Sequence, residues 1–552
     1  MKLKYKIGAL TDQQYAFKNR SWELDINNTI DIYDSLGSNI KVYVYGSEVK
    51  RILPLKNDLV NEEWISNKTR YFFEGLVKWR VNIPLFKKSN TMVYVSWIQA
   101  FYYFLIKIWF YNIKYFTSNL IFLNSMFIDY ELIITSKFLI KKLGFLSYNK
   151  NLTINLNDYY LYYINPNFFE DIKNKKIFFF IGYNLRLEAP ILNIKLRKKR
   201  LKENLFYFLI GSNFNDNLNC KNIGLNIHNL VTYLNGKLKI CNIIIKDIKK
   251  LKKNVENILD LHMFLLGNNI VSRVDNINII NFLKKKNKIL NFVSFLNKNS
   301  IISNYFVNFT KKNLFYILDK KNINININIL YINLTLILYE EFNMFNNIHN
   351  IKEISKDDII YLLGINNLKL KKTKFCIFQG HHINLDYLNV DLIFPNVTFF
   401  EKSNDYLNIE GNFLQTNFIL YPPIFCRNDW SILNALYIYI LNFVYKIYNI
   451  NFMKIHYLNV NRFYQVFNNL KKKNFFLKKL SVNLYYENIS KSKFYFYNLK
   501  DNIQNYNLKI NKVYNNILNN KYYNPYIIDI ISEYSNVLKN CSIQFNVLIT
   551  NF

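Results

Sequence analysis

The sequence predicts an α/β fold: a small amino-terminal β-rich layer followed by doubly wound, mostly parallel sheet subdomains. Three observations carry this. Short continuous apolar runs stop at glycine, as 176–181 does before Gly182, 205–210 before Gly211 and 375–378 before Gln379-Gly380. Strands covered on both faces read as unbroken apolar runs rather than alternating ones. From about Met92 onward such runs alternate with helical stretches, the order a sheet with helices on its faces requires.

The first ninety residues differ from the rest. They are richer in Glu, Asp, Gly and Trp, and Ile40, Val42 and Val44 alternate up to Tyr45-Gly46-Ser47 before Val49, Ile52 and Pro54. Period-two alternation broken by a glycine turn predicts a hairpin. Further along, strands that stop at glycine place loops at the carboxyl edge of the sheet, where open α/β sheets bind ligands. The repeat Ile323-Asn324-Ile325-Asn326-Ile327-Asn328-Ile329 has strand period but low complexity, and is expected to be a loop running into a strand near 330–338. Lysine runs at 195–202, 249–253, 284–288 and 471–473 are scattered along the chain, as solvated faces are. No Pro- or Gly-rich linker separates independent modules.

At 552 residues the chain exceeds one ordinary core, so two or three subdomains are expected. Apolar residues at 51% and charged residues at 20% exclude a disordered protein. Asn, Lys, Ile, Phe and Tyr are heavy while Gly and Pro number only 13 and 8, the imprint of an A+T-rich genome such as an organelle's. The formal charge of +34 points by itself to nucleic acid or an anionic surface, yet A-rich codons also produce lysine. Cys220, Cys241, Cys376, Cys426 and Cys541 lie far apart with no C-x-x-C pair, which argues against a disulfide framework, a cluster or a zinc site. The opening residues have no cleavable signal pattern, so local synthesis or a trimmed chain is expected. The run 92–116 includes Gln99, Lys107, Asn112 and Lys114, which suits a partly buried amphipathic helix rather than a membrane span.

Catalytic motifs are sparse. There is no P-loop, no G-x-G-x-x-G after a strand, no H-E-x-x-H and no G-x-S-x-G. Three constellations remain. Gln379-Gly380-His381-His382 stands at a strand end with Asp386 nearby, residue types able to ligate metal or to exchange protons. Adjacent histidines on extended chain point to opposite faces, so one ion is not expected to take both. Glu401-Lys402, with Glu410-Gly411 downstream, is either a site or a structural ion pair that ties loops together. Arg20-Ser21-Trp22-Glu23, Asn61-Glu62-Glu63-Trp64 and Lys68-Thr69-Arg70 set tryptophans among Arg and Glu, a composition of partner-facing surfaces and equally of a small domain closed on itself.

These residues carry a family likeness. Gly8-Ala9-Leu10-Thr11, Tyr15-Ala16-Phe17, Arg20 to Glu23, Gly37 to Ile40, Arg51 to Pro54, Asn61 to Ser66 and Lys68 to Arg70 occur in order. So do Gly182-Tyr183-Asn184-Leu185-Arg186-Leu187-Glu188-Ala189-Pro190, Gln379 to His382, Glu401-Lys402-Ser403, Asn408 to Gly411, Pro422-Pro423, Asp429-Trp430 and the tail from Asp529. Together they resemble the large carboxyl-terminal half of the seventy-five-kilodalton subunit of respiratory complex I. The likeness spans nearly the whole chain, weakly over 269–371 and only by position over 438–522.

The resemblance implies a body of molybdopterin-oxidoreductase type kept as a scaffold without molybdenum. It divides the chain into a β-rich junction at 1–90 that contacts a separate iron–sulfur chain, a body at 91–440, and a variable region with a closing helix at 441–552. In the family a cluster-binding cysteine precedes G-A-L-T, whereas this chain reads Tyr5-Lys6-Ile7 there, and an oxygen of Tyr5 is a poor substitute for soft sulfur. The expectation is therefore no cofactor in this chain, with iron–sulfur clusters on a partner chain. The implied partners are that chain, the flavoprotein and other peripheral-arm subunits, with the membrane met only through the complex and no nucleic acid. The implied location is the matrix side of the mitochondrial inner membrane. No catalytic or metal residue is assigned. The family-motif and interface candidates are Arg20, Trp22, Glu23, Glu63, Trp64, Arg70, Arg186, Glu188, Gln379, His381, His382, Glu401, Lys402 and Glu410. An active molybdopterin-dependent oxidoreductase, with Cys220 or Cys376 as metal ligand, and a basic nucleic-acid binder are the alternatives.

Overall fold

The computed structural model describes residues 15–89, 91–114, 119–125, 127–129, 131–132, 135–136, 139, 168–182, 184–211, 218–226, 262–266, 333–338, 359–364, 375–382, 390–410, 412–448, 526–527 and 529–550. The opening motif with Tyr5 and Gly8 to Thr11, the Asn-Ile repeat, Asp386 and three of the four lysine runs lie outside them.

Strands β1 (Asp25–Ile30), β2 (Asn39–Tyr45) and β3 (Glu48–Pro54) form an antiparallel sheet in that order. The expected hairpin is β2–β3, turning at Gly46 with φ 60°, a conformation that favours glycine. Ile40, Val42, Val44 and Ile52 bury one face of this sheet, as the alternation requires.

β4 (Leu85–Lys88), β5 (Thr91–Tyr94) and β6 (Asn119–Asn124) follow, and belong to a larger sheet that later strands complete. Next come β7 (Ile177–Ile181), β8 (Phe206–Ile210), β9 (Lys221–Gly224) and β10 (His262–Leu266), parallel throughout in the order β10-β7-β8-β9. Every residue of β7 is buried. Phe179 stacks on Phe208 of one neighbour at 5.1 Å and on Phe264 of the other at 5.0 Å, cross-strand contacts of the kind that hold a sheet.

The larger sheet is completed by β11 (Asn333–Leu338), β12 (Ile359–Leu363), β13 (Phe375–Gly380) and β14 (Leu392–Pro395), in the order β11-β6-β12-β13-β14-β4-β5. It is parallel from β11 to β14 and antiparallel at β4 and β5. β13 runs through Gln379 and Gly380, two residues past the apolar run that predicted it. A short antiparallel pair, β15 (Asp405–Leu407) and β16 (Phe413–Gln415), ends the strands.

The region 92–116 divides. Its first residues are the edge strand β5, and the helix Trp97–Lys114 follows. Trp97, Ala100, Phe101, Phe104, Leu105 and Ile108 bury one stripe of it while Ile98, Tyr102 and Ile106 stay exposed, the three-and-four spacing of an amphipathic helix. Among the described residues no helix is long and apolar enough to cross a membrane. Trp97 stacks on Phe394 at 5.8 Å, and the helix Asp429–Tyr448 adds Ile432, Leu433 and Leu436 to the same core.

The helix Pro190–Lys202 starts with proline, pre-set for a first turn. Its lysines are not all solvated: Lys199 lies over Phe178 and donates to the carbonyls of Ile172 and Lys175, whereas Arg197 and Lys198 face water. A third core unites distant parts of the chain. Ile30, Tyr33, Val42 and Phe72 pack with Phe399, Phe400, Ile530, Ile531 and Leu538, so the closing helices Ile530–Tyr534 and Asn536–Thr550 sit against the amino-terminal sheet.

Candidate functional site

In the larger sheet the chain order reverses between β6 and β12: the connection from β6 leads to β11 on one side, and the chain then crosses to β12 on the other. Loops leaving the carboxyl ends of such strands frame the crevice where open α/β sheets bind ligands. Ser125, directly after β6, donates its N–H to the Leu363 carbonyl at 2.9 Å. A few residues on, the same loop brings a fully buried Asp129 above this edge.

Side chains from four other segments converge there. Lys402 donates to Asp129 at 2.8 Å and to Asp429 at 3.0 Å, all three buried. Asp429, at the start of its helix, also accepts from Asn396 at 2.6 Å and from Gln379 at 2.8 Å, and the Gln379 side-chain Oε1 accepts the Tyr361 hydroxyl at 2.8 Å. Asn404 donates to Asp129. Burial opposes the charge on Lys402, but its two carboxylates hold its pKa well above the ordinary lysine value. Lys402 is thus a fixed cation and a cross-link rather than a base. Burial, Asp129 and Asp405 raise Glu131 well above the carboxylate range, so it is a neutral acid.

Glu401 and Lys402 do not pair with each other, as the sequence had suggested; each finds a separate partner. Glu401 takes Arg80 at 2.5 Å and accepts the Thr398 N–H at 2.8 Å. The histidines also depart from expectation. The strand ends at Gly380, and in the bend that follows the two Nδ1 atoms approach to 2.5 Å instead of diverging. Burial, then Arg80, pushes His382 down to about 3, and His381 is lowered too by burial and by His382. Both rings are neutral. His382 Nε2 lies 3.0 Å from the Leu76 carbonyl, which only accepts, so that nitrogen carries the proton. His381 Nδ1–H therefore donates to His382 Nδ1. Among the described residues no group of three His, Cys, Asp or Glu can hold a metal ion.

A second polar cluster lies under the amino-terminal sheet. Thr69 donates to Asp31, the Tyr33 hydroxyl to Asp529 at 2.6 Å and the Tyr33 N–H to Asp31 at 2.8 Å. Burial raises Asp31 to about 7 and also raises Asp34 and Asp529, while it lowers Lys68. Asp529 caps the helix Ile530–Tyr534 by accepting the Ser532 N–H.

The other sequence candidates are dispersed. Arg20 lies 5.5 Å over Trp22, and Glu23 accepts the Arg20 N–H at 3.2 Å; all three are exposed. Glu63 meets Lys56 at 3.8 Å on the surface, and Trp64 is exposed beside it. Arg70 is half-buried in the helix Asn67–Tyr71. Arg186 is exposed, Glu188 accepts the Asn184 N–H at 3.5 Å, and Glu410 accepts the Phe169 N–H at 3.2 Å beside the smaller parallel sheet. The structure brings together Gln379, His381, His382, Glu401 and Lys402, and does not gather the rest. Sequence reasoning missed Arg80, Asp129 and Asn396, which stand in no motif, and took Asp429 only as part of a likeness.

Residues 80–439 match the family described as molybdopterin oxidoreductase, and residues 25–74 match the NADH-ubiquinone oxidoreductase NDSU1/NuoG-like, 4Fe-4S domain. The chain is similar to the NADH-ubiquinone oxidoreductase 75 kDa subunit of Reclinomonas americana, 30% identical over 454 residues, 78% of this chain and 59% of that one. It is similar to the mitochondrial 78 kDa subunit of Candida albicans, 29% identical with 78% and 54% covered, and to the 75 kDa subunit of Acanthamoeba castellanii, 30% identical with 78% and 58% covered. The chain thus spans little more than half the length of these relatives. Acetylene hydratase from Pelobacter acetylenicus superposes with a TM-score of 0.46 at 11% identity, over 75% of this chain and 69% of that one.

Neither cofactor that these descriptions imply fits the residues in place. The 25–74 segment contains no cysteine, and a four-iron cluster is held by thiolates. Molybdenum would need a thiolate or similar ligand at the carboxyl edge of the sheet. Cys220 precedes the amino end of β9 in the smaller sheet, away from its carboxyl edge; Cys376 lies inside β13, 2% exposed, and Cys426 is turned to the Val81 carbonyl at 3.4 Å, and burial raises the Cys376 and Cys426 thiols, which keeps them protonated. At Gly380 the Phe378 ring fills the space where a side chain would stand.

Proposed function

This chain belongs to the molybdopterin oxidoreductase family, with its relatives among the 75 and 78 kDa subunits of NADH-ubiquinone oxidoreductase, and from that membership we propose that it is a structural subunit of the peripheral arm of complex I. It scaffolds the iron–sulfur path between NADH and ubiquinone and carries no cluster or molybdenum of its own. The observation that carries this reading is the salt-bridged knot of Lys402, Asp129 and Asp429 at the switch point. There the chain fills its own ligand crevice with buried ion pairs.

The clusters belong, on this reading, to a separate cysteine-rich chain held through the 1–90 junction. The body at 91–440 and the region 441–552 complete the scaffold, on the matrix side of the mitochondrial inner membrane. Arg20, Trp22, Glu23, Glu63, Trp64 and Arg70 are its junction residues, with Arg186, Glu188 and Glu410 as supports. The reading is tested by native purification, identification of the co-migrating chains, and elemental analysis of this chain after separation. A cysteine-rich partner within a large redox assembly, and no stoichiometric metal on the separated chain, is expected. Stoichiometric iron or molybdenum on it overturns the reading, as does its absence from such an assembly.

A further inference from the structure

The lysine run 195–202 falls on one helix, and its four lysines meet different surroundings. Lys198 and Lys202 are exposed, and Lys198 meets the Glu62 carboxylate at 2.6 Å. Lys199 is half-buried and held by acceptors, the carbonyls of Ile172 and Lys175 at 2.8 and 2.5 Å, with the Glu203 carboxylate at 3.8 Å. Lys195 is half-buried as well, but its surroundings are of another kind. Its Nζ lies 4.7 Å from the centre of the Phe169 ring and donates to the Leu59 carbonyl.

The acids that face Lys195 are occupied elsewhere. Glu62, which acts on it most strongly, is bonded to Lys198; Asp34 accepts the Ser38 hydroxyl, and Glu410 accepts the Phe169 N–H. The exposed Lys173, on the helix Phe168–Asn174, adds a like charge. Burial first, then Lys173, brings the Lys195 pKa down to about 8 against the pull of those three acids. An amine partly withdrawn from water beside a second cation is the setting in which lysine becomes a nucleophile. The ring and the Leu59 carbonyl also fix its position, because a neutral amine still has N–H to donate.

We propose that Lys195 is an acylation site of this chain and that its reagent is an acyl thioester. A thioester brings its own leaving group, so the amine itself is the one reacting group the chain has to supply. The nitrogen attacks the thioester carbonyl carbon, the C–N bond forms as the C–S bond breaks, and the departing thiolate takes up the proton that the nitrogen gives away. No oxidant or reductant takes part. The amide formed is uncharged, so the cation over Phe169 is lost and a single N–H is left for Leu59. Acylation thereby loosens the tie between the helix Pro190–Lys202 and the loop after β3, which Lys198 and Glu62 still hold. The proposal does not rest on the subunit reading.

The test treats the full folded chain with a limiting amount of a small acetyl thioester, from about pH 6 to 10, and quantifies acetylated peptides by mass spectrometry. At pH 8 Lys195 should react at least about fivefold faster than the exposed Lys198 and Lys202. Its rate should level off above about pH 8, while theirs keep climbing. Lys173→Gln, a change at an exposed position, removes the like charge and should move that levelling to higher pH with an unchanged melting temperature. In urea the preference for Lys195 should vanish. A rate at Lys195 no higher than at Lys198 and Lys202 in the folded chain overturns the proposal. So does a preference that persists in urea, since its cause would then lie in the local sequence and not in the fold.

Discussion

Tyr33 donates a 2.6 Å hydrogen bond to Asp529 across 496 positions of chain, with both residues buried. The bond joins the loop after β1 to the cap of the helix Ile530–Tyr534, where Asp529 also accepts from Ser532. The hydroxyl and the ring act together: the same tyrosine packs on Phe72 at 4.7 Å and on Phe399 at 6.0 Å.

Tyr33→Phe keeps the ring and removes the donor. The carboxylate left short of a partner should destabilise the chain by about 1–3 kcal/mol, read as a lower urea midpoint with an unchanged slope. Asp529→Ala also loses the helix cap, worth about 1 kcal/mol, and should fall further. Hydrogen exchange over 530–546 should quicken in both.

Asp31 makes stability depend on pH. Burial, with Asp34 beside it, lifts its pKa from the ordinary 3.8 to about 7, so the folded chain binds this proton more tightly than the unfolded one. The resulting stability is complete below about pH 4 and is lost as pH rises through about 7. Asp34 and Asp529 shift in the same direction. Lys68 is lowered and acts with the opposite sign at higher pH, below the ordinary lysine value. The melting temperature should therefore fall between pH 5.5 and 8, and Asp31→Asn should flatten that slope.

Lys402→Met leaves Asp129 and Asp429 buried without their cation. Breaking a buried pair from one side costs about 3–5 kcal/mol, and equilibrium denaturation should show a loss of that size. Exchanging the exposed Lys198, which meets Glu62 at 2.6 Å, should leave the denaturation midpoint close to that of wild type, because water screens a surface pair.

Gly75 lies against the backbone carbonyl of Ile531, so that a Cβ there would collide with main chain that has no rotamer to yield. Gly75→Ala should displace the closing helices, at about 1–3 kcal/mol, and open the segment after Asp529 to limited proteolysis. A melting curve identical to wild type would contradict this packing.

Elements with local signals were legible in the sequence. β7 and β8 are apolar through and through and stop at Gly182 and Gly211, both of positive φ, and β2–β3 alternates around Gly46. The site was legible only in part. Gln379, His381, His382, Glu401 and Lys402 stand in compact motifs, but Asp129 reaches Lys402 over a separation of 273 residues. One sequence holds no periodicity for such a meeting. The histidines were misjudged because the two-face rule applies to continuing strand, and the strand ends one residue earlier. β5 was merged with the helix after it because both are apolar, and only the break near Ser96 parts them.

The shared core of Tyr33, Phe72, Ile530 and Leu538 also sets a timetable for biogenesis. A ribosome releases the sheet early and the helices that seal it more than four hundred codons later, so throughout translation the nascent chain displays an unsealed apolar surface. That surface stays open until the residues from Ile530 onward emerge. A premature stop shortly before codon 529 spares every strand described above, yet removes Ile530, Ile531 and Leu538 from the core that covers the amino-terminal sheet.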